Sequence, residues 1–375
     1  MKQVLIKPLW PVGLNGRLFD AIAPHILIPW REKAATLGIA LDGWDTMPLD
    51  KADCVWLMDL PDTKAEFYAA RRRVRPGVPF VLQIMEAPVF RPHNHVPANQ
   101  ALCDYVVTYQ QNMERKNYFS YRIPTYVFST DNHVPFEQRH CAVMVNINRV
   151  EGFLAPRQKG ITGLPGIGRQ FSGWKLPAWS WFQPARGELY SWRRKLARAA
   201  DKLNSHSLNV VGPGWSGENI SWCRWWPNRP YKCCIAKRTT ELFNTLAGYR
   251  FSISAENYRG SYDWITERLV NALVAGTVPV YIGDENITKL VPSRAFVDVR
   301  HFKTHRELLL YLSNCPKHEW AEMYQAGQAF LKTEAARNFG KEAFIQTMNS
   351  VLLQVLGLAE KDSRAGRSEA TTAPI

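Results

Sequence analysis

The sequence predicts an α/β protein made of two domains. A chain of 375 residues is long enough for two domains, each with a core of its own. Most of residues 1–135 alternate between strand-like and helix-like segments, and residues 249–299 run through a strand, a loop, a helix and two further strands. This alternation is typical of parallel sheets covered by helices, which bind ligands beyond the carboxyl ends of their strands.

The first half of the chain supplies four strand-like segments and one helix-like pattern. Residues 1–10 are apolar but interrupted by Lys7 and Pro8, so we interpret them as a first strand and not as a signal peptide. Residues 21–37 follow a helical pattern. The next strand-like segments are CVWLMDLP, PFVLQIM and DYVVTY. PFVLQIM is followed directly by Glu86. Taken alone, Glu86 fits a surface or capping carboxylate.

We place the domain boundary before the apolar segment CAVMVN at residues 141–146. The predicted domains are residues 1–137 and 138–335. An amphipathic helix in residues 336–357 is expected to pack back on the first domain. Residues 358–375 contain few large apolar groups and are expected to form a disordered tail.

Residues 249–299 are the most informative segment of the chain. Residues 249–254 are predicted to form a buried strand, and the next helix is expected to use Asp263 as its N-cap and Gly276 as its stop. Strands are then predicted at residues 277–282 and 295–299. Further on, Thr304 is predicted to cap one more helix.

The loop before that helix is polar, and a helix N-terminus favours an anion. A carboxylate such as Glu267 can accept from ribose hydroxyls, and a guanidinium such as Arg268 can face phosphate oxygens. The pattern therefore suggests a site for a nucleotide diphosphate. Acidic residues are also common in a first helical turn because of the helix dipole, so spacing alone leaves the two interpretations about equally supported.

Composition narrows the function classes. No apolar run is long enough to span a bilayer, and seven scattered cysteines without a C-x-x-C pair favour a reducing, cytoplasmic location. The net charge of +14 implies an acidic partner: anionic lipid headgroups at the inner face of the membrane, nucleic acid or a phosphorylated substrate. Charge alone does not choose among the three.

Two features bear on metal and sugar binding. His93 and His95 could share a metal, but no third ligand is visible near them, and the sequence has no D-x-D pair. We therefore expect no obligatory metal and no cofactor. Many of the tryptophans cluster between residues 174 and 226, where packing is the simpler interpretation and stacking on carbohydrate or bases is the alternative. They are Trp174, Trp179, Trp181, Trp192, Trp215, Trp222, Trp225 and Trp226.

The segment from Phe251 to Gly283 resembles the carboxy-terminal signature of the α-1,3/4-fucosyltransferases, glycosyltransferase family 10. The matching residues are Phe251, Glu256, Asn257, the run WITERL at 264–269, Ala272, Gly276, the run VPV at 278–280 and Gly283. EAP at 86–88, DYVVTY at 104–109 and SYRIPTY at 120–126 are similar to segments of the family's first half. Trp264 departs from the family's tyrosine and Arg268 from its lysine; Tyr262 is the candidate replacement for the missing phenol.

The resemblance implies two Rossmann-like domains facing across a cleft, the arrangement called GT-B, and transfer of fucose from GDP-fucose to a glycan acceptor with inversion. It makes Glu86 the catalytic base and Glu267 the ribose ligand, with Asn257 lining the diphosphate pocket. The other donor-binding candidates are Arg193, Arg194, Glu256, Tyr262, Trp264 and Arg268, with Arg186 as a further candidate for the diphosphate contact. No nucleic-acid partner is expected.

Two alternatives to fucose transfer stay open. The departures at Trp264 and Arg268 leave room for another GDP-deoxyhexose, transferred to a bacterial surface polysaccharide. The tryptophans and the charge leave room for a module that binds a glycan or nucleic acid without catalysis.

Overall fold

The computed structural model describes residues 1–111, 113–125, 134–155, 164, 166–203, 206–217 and 230–358. The predicted tail beyond residue 358 lies outside this set, as do Tyr126, Trp222, Trp225 and Trp226. Within it, no helix is long and apolar enough to cross a membrane.

The first half of the chain forms a parallel sheet of six strands in the order β2-β1-β3-β4-β5-β6. Its strands are β1 (Lys2–Lys7), β2 (Ile39–Gly43), β3 (Cys54–Met58), β4 (Phe80–Gln83), β5 (Tyr105–Thr108) and β6 (Tyr118–Ser120). The accompanying helices are α1 (Leu18–Ala21), α2 (Pro24–Thr36), α3 (Lys64–Arg73) and α4 (Pro97–Gln100). β3 and β4 are buried along their whole length, as apolar strands covered on both faces must be.

The second half forms another parallel six-stranded sheet, in the order β12-β11-β10-β7-β8-β9. Its strands are β7 (His140–Val145), β8 (Asn209–Val211), β9 (Cys234–Ala236), β10 (Tyr249–Gly260), β11 (Val278–Asp284) and β12 (Val297–Asp298). Counted from β7, this is the 3-2-1-4-5-6 order of a Rossmann sheet, whose direction of winding reverses between β7 and β10. Ligands of such sheets bind at that reversal, beyond the carboxyl ends of the strands.

The remaining helices follow in chain order. They are α5 (Tyr190–Leu203), α6 (Leu242–Ala247), α7 (Glu267–Val274), α8 (His305–Asn314), α9 (Lys317–Leu331), α10 (Glu334–Arg337) and α11 (Lys341–Val355). α11 returns to the first half and packs on α2: the indole N–H of Trp30 donates to the side-chain oxygen of Asn349 at 3.1 Å, and Phe344 packs edge-on against the Trp30 ring. The segment after β7 also crosses over, because the Trp174 indole N–H donates to the Pro61 carbonyl at 2.9 Å.

Two predictions about residues 249–299 were wrong. The predicted loop at Glu256 and Asn257 is strand, because β10 keeps pairing with β11 through a register shift as far as Gly260. The helix begins at Glu267 and is capped by Thr266, not by Asp263. Asp263 instead has a left-handed backbone, with φ of 58°, and its carboxylate accepts from the Gln111 backbone N–H at 3.0 Å.

Other predicted boundaries agree with the structure. Gly276 follows the last residues of α7 with φ of 69°, a conformation that glycine adopts without strain. The Thr304 hydroxyl accepts from the Glu307 N–H at 3.0 Å and begins α8. Short-range capping signals were therefore reliable where no long-range contact competed with them.

Candidate active site

Glu256 organises the carboxyl end of β10. Its side chain is fully buried and accepts from both the backbone N–H and the hydroxyl of Thr266, each at 2.8 Å, and from Nη1 of Arg268 at 3.1 Å. Burial raises the pKa of Glu256, and the Arg268 charge opposes that shift. Because both carboxylate oxygens are occupied, Glu256 fixes the start of α7 and the Arg268 guanidinium.

Gly283 makes this arrangement sterically possible. A Cβ atom at residue 283 would lie 2.4 Å from the Glu256 Cγ and 2.6 Å from the Tyr281 hydroxyl. Only glycine leaves room for the Glu256 side chain to reach Thr266. The glycine and glutamate of the sequence signature are therefore linked by packing.

The amino end of α7 presents a charged pair. Glu267 is the first residue of the helix, and its carboxylate forms no hydrogen bond or ion pair within the part of the chain that the structure describes. Burial disfavours the charge of Arg268, but Glu267 and Glu256 outweigh that effect and raise its pKa. The Arg268 side chain is 26% exposed, so this fixed cation is partly accessible from solvent.

Arg193, one of the predicted diphosphate arginines, is close enough to Arg268 for the two positive charges to interact. It is 2% exposed, and Nη2 donates to the Asn257 side-chain oxygen at 3.0 Å and to the Ala255 carbonyl. Burial lowers the pKa of Arg193 to about 9, and the positive charge of Arg268 adds to the effect. Arg193 thereby ties α5 to the end of β10.

Arg194 and Arg186 point to other partners. Arg194 donates to the Arg149 carbonyl and, at 3.1 Å, to the Ser191 hydroxyl, and burial lowers its pKa. Arg186 is exposed, and its guanidinium lies 4.6 Å from the centre of the Phe182 ring. Arg194 therefore braces the loop after β7, whereas Arg186 covers an aromatic side chain at the surface.

Glu86 lies three residues beyond the end of β4 and is partly buried. Burial raises the pKa of its carboxyl to about 7, and the negative charge of Asp59 adds to the shift. Three guanidinium groups oppose it, and we call them the cleft arginines: Arg149, Arg91 and Arg268. The tertiary structure thus brings Glu86 of the first sheet within electrostatic range of Arg268 at the end of the second.

Asp59 lies close to Glu86 and affects its charge. It follows β3 with a left-handed φ of 62°, is fully buried, and accepts from the Met85 backbone N–H at 2.7 Å. Burial raises the pKa of Asp59 to about 6, while the Arg91 charge opposes the shift. Two carboxyl groups with raised pKa values at adjacent strand ends are a pattern found at functional sites.

Sequence reasoning missed Asp59 and two of the cleft arginines. Asp59 directly follows the strand CVWLM, and Arg149 follows β7 by four residues, so the rule that loops at strand ends often carry function covers both. Arg149 forms an ion pair with Glu151 at 3.2 Å and lies over the Phe90 ring at 3.9 Å. The contact with Phe90, a residue of the first half, could not be foreseen from local patterns.

His93 and His95 do not form a metal site with their neighbours. His93 stacks on Trp174 with ring centres 5.8 Å apart. His95 Nε2 must carry a proton, because it lies 3.1 Å from the Glu86 carbonyl, which only accepts. Among the described residues, no group of three or more His, Cys, Asp or Glu side chains is arranged to hold a metal ion.

The two aromatic residues before α7 have different surroundings. Tyr262 is partly buried and packs edge-on against Tyr258, with ring centres 5.6 Å apart. Trp264 is 4% exposed and packs edge-on against Tyr109 of the first half, at 4.7 Å. Trp264 therefore belongs to the core of the first half.

The fold of this chain is similar to that of known two-domain glycosyltransferases. The chain has a TM-score of 0.52 to Anabaena HepE in complex with UDP and glucose, at 12% identity, covering 94% of this chain and 100% of that one. It has a TM-score of 0.51 to a DNA-modifying β-glucosyltransferase, at 12% identity, covering 95% and 100%. These similarities confirm the predicted α/β fold of two Rossmann-like domains in the GT-B arrangement.

The family resemblance is also confirmed. Residues 193–343, in the second half of the chain, match the model of glycosyltransferase family 10 (fucosyltransferase) C-term. The human α-(1,3)-fucosyltransferase 7 is 48% identical over 75 residues, which are 19% of this chain and 22% of the relative. The Helicobacter pylori α-(1,3)-fucosyltransferase FucT is 31% identical over 74 residues, 20% of this chain and 15% of that protein. The matched parts thus span only 22% and 15% of the length of these two relatives.

Proposed function

We propose that this protein is an inverting glycosyltransferase that moves fucose from GDP-fucose to a hydroxyl group of a glycan acceptor. One observation carries the proposal. Glu86 lies at a strand end of the first sheet, has a raised pKa, and is within electrostatic range of Arg268 at the ligand-binding end of the second sheet. The match to the fucosyltransferase family and the α-1,3-fucosyltransferase relatives support fucose as the sugar.

The donor would lie at the reversal point of the second sheet. The Glu267 carboxylate, which forms no hydrogen bond within the described part of the chain, suits the ribose hydroxyls, and Arg268, held by Glu256, suits the diphosphate. Arg193 holds the Asn257 side chain beside the same strand end, and Arg194 holds the loop after β7. Tyr262 remains the candidate phenol for a phosphate oxygen.

The chemical step needs a base and a stabilised leaving group. Glu86 takes the proton of the acceptor hydroxyl. At the same time, the hydroxyl oxygen of the acceptor forms a bond to the anomeric carbon of fucose, on the face opposite to GDP. The bond from that carbon to the β-phosphate oxygen breaks, and its electron pair leaves with GDP. A base whose pKa lies near 7 is well matched to this task, and fixed guanidinium groups stabilise the departing charge without reorganising.

No metal-dependent step is part of this proposal. Arg268 and Arg193 already place positive charge at the end of β10, where the diphosphate would lie. A helix N-terminus adds a further favourable dipole. We expect turnover without added divalent cations.

The test is a donor panel with one acceptor probe. The mouse 4-galactosyl-N-acetylglucosaminide 3-α-L-fucosyltransferase 9 is 38% identical over 78 residues, and its name supplies that probe, a 4-galactosyl-N-acetylglucosaminide. We expect GDP release from GDP-fucose and slower release from other GDP-sugars. Faster turnover of another GDP-deoxyhexose would favour the alternative suggested by Trp264 and Arg268, and binding without turnover of any donor would overturn the proposal.

The net charge of +14 supports a weak contact with anionic membrane surfaces. Such binding should weaken as salt rises, because exposed charges are screened. Pelleting with phosphatidylserine vesicles at low and high salt tests it. Pelleting that does not respond to salt would contradict this origin of the contact.

A further inference from the structure

Two consecutive residues of the second domain, Asp263 and Trp264, contact a short segment of the first domain. The Asp263 carboxylate accepts from the Gln111 backbone N–H at 3.0 Å, and the Trp264 ring packs edge-on against Tyr109 at 4.7 Å. We call these four residues the interdomain clamp. Asp263 adopts its left-handed backbone at this contact, a conformation that is uncommon outside glycine.

The clamp continues from Tyr109 to the backbone of Glu86. The Tyr109 hydroxyl lies 3.3 Å from His95 Nε2 and 3.5 Å from the Glu86 carbonyl, and His95 Nε2 lies 3.1 Å from the same carbonyl. Tyr109 is 1% exposed, so neither its ring nor its hydroxyl is free to relocate. The Trp264–Tyr109 end of this series is therefore buried, and its contacts to His95 and to the Glu86 carbonyl are partly buried.

At its other end, the clamp adjoins the residues proposed to hold the donor. Trp264 is two residues before Thr266, which caps α7 and is bonded to Glu256, the residue that holds Arg268. A packed interior transmits a displacement instead of absorbing it. Trp264 thus stands between the two groups that must meet at the reacting atoms, one from each domain.

We propose that Trp264 is a positioning residue that acts through Tyr109 to hold Glu86 in register with the donor site at the start of α7. This inference rests on the proposed function, since it assigns Trp264 a mechanical role in place of the expected contact with the donor. The indole is 4% exposed and its N–H has no partner among the described residues. In this proposal the Trp264 ring acts only by packing against Tyr109, and Glu86 takes the proton.

The first experiment separates turnover from donor binding. Trp264→Leu removes the ring, and Tyr109→Phe keeps the ring contact but removes the hydroxyl that reaches His95 and the Glu86 carbonyl. Each should lower kcat with GDP-fucose by about 10- to 100-fold, because a misplacement of about 1 Å at a reacting group has effects of that order. The Kd for GDP, measured by calorimetry, should stay within about twofold of wild type. Weaker GDP binding with unchanged kcat would show that Trp264 is a donor ligand and overturn the proposal.

Trp264→Phe and Phe302→Leu are the matched controls. Trp264→Phe keeps an aromatic edge against Tyr109 and removes no hydrogen bond, so it should retain most of the turnover. Phe302 is a half-buried ring that follows β12 at the edge of the second sheet and packs on Tyr311, with ring centres 5.2 Å apart; its replacement should lower thermal stability without changing kcat per folded molecule. Equal losses of kcat in Phe302→Leu and Trp264→Leu would mean that the clamp is only structural.

A second measurement does not depend on activity. The difference in melting temperature between a protein and its Glu86→Gln variant, followed from pH 4.5 to pH 8.5, reports the titration of Glu86. In wild type, this difference should grow with pH above the ordinary glutamate range and level off near pH 7, the folded-state pKa of Glu86. In Trp264→Leu, it should level off at a lower pH and reach a smaller maximum, because a displaced Glu86 regains water. An unchanged curve would refute the positioning role even if no donor were turned over, whereas inactivity of wild type alone would count only against the proposed function.

Discussion

The carboxylate of Asp59 accepts a hydrogen bond from the Met85 backbone N–H at 2.7 Å, one residue before Glu86. This bond ties the ends of β3 and β4 together and brings two raised-pKa carboxyl groups close to each other. Since like charges disfavour each other's ionisation, Asp59 helps to keep the Glu86 carboxyl titrating near neutral pH.

Glu86→Gln should lower turnover by at least about a hundredfold, because glutamine has a similar size but cannot take a proton. Its Kd for GDP should stay near the wild-type value, since Glu86 belongs to the other domain. Steady-state kinetics and calorimetry provide the two readouts. Glu137→Gln, at an exposed ion pair with Lys317, is the matched control and should leave both unchanged. Full turnover by Glu86→Gln on an accepted glycan would refute the base assignment.

The pH dependence of kcat/KM should show an acidic limb near pH 7, because Glu86 must be deprotonated to act as a base. Asp59→Asn removes a negative charge, so the pKa of Glu86 should fall and the limb should move to lower pH. Because the two carboxyl groups interact, the observed limb belongs to the pair. An unshifted limb in Asp59→Asn would show that another group controls it.

Glu86→Gln should also stabilise the fold, and only at higher pH. The folded-state pKa of about 7 lies above the unfolded value near 4.5, so ionisation costs folding stability fully above pH 7 and not at all below pH 4.5. The variant should gain about 1–3 kcal/mol at pH 8 and much less at pH 5. Chemical denaturation at both pH values measures this, and an equal effect at the two would contradict the shift.

Glu267→Ala and Arg268→Ala should both weaken GDP binding, by roughly 5- to 100-fold, but should differ in stability. Glu267 has no hydrogen bond among the described residues, so its loss should lower the melting temperature less than the loss of Arg268 does. Loss of Arg268 leaves the buried Glu256 carboxylate without its cation and should lower the melting temperature. Unchanged GDP affinity in both variants would remove this region from the donor site.

Turnover of GDP-fucose should persist in EDTA and should not require Mn²⁺ or Mg²⁺. We expect this because guanidinium groups and a helix N-terminus stabilise the leaving diphosphate. GDP release measured with EDTA, and again after adding each metal back, is the test. A rate abolished by EDTA and restored by Mn²⁺ would contradict the expectation.

Several features followed from the sequence alone. The strand, helix and strand of residues 249–299, the stop at Gly276, the cap at Thr304 and the Rossmann-like class depend on patterns within a few residues of each other. Glu256 and Gly283 stood out by resemblance, and the Glu256 side chain proves to occupy the space that a Cβ atom at residue 283 would need. Local propensity and periodicity decide such features because their causes are also local.

Only the tertiary structure decided how these parts meet. Asp263 has the residue type of a helix cap, yet it bonds to Gln111, 152 positions away, and Thr266 caps the helix instead. The same packing buries Trp264 against Tyr109 and brings Arg149 and Arg268 toward Glu86 from the opposite domain. No pattern within one segment encodes these contacts, because burial and electrostatic range depend on the distance between atoms in the folded chain and not on their separation in sequence.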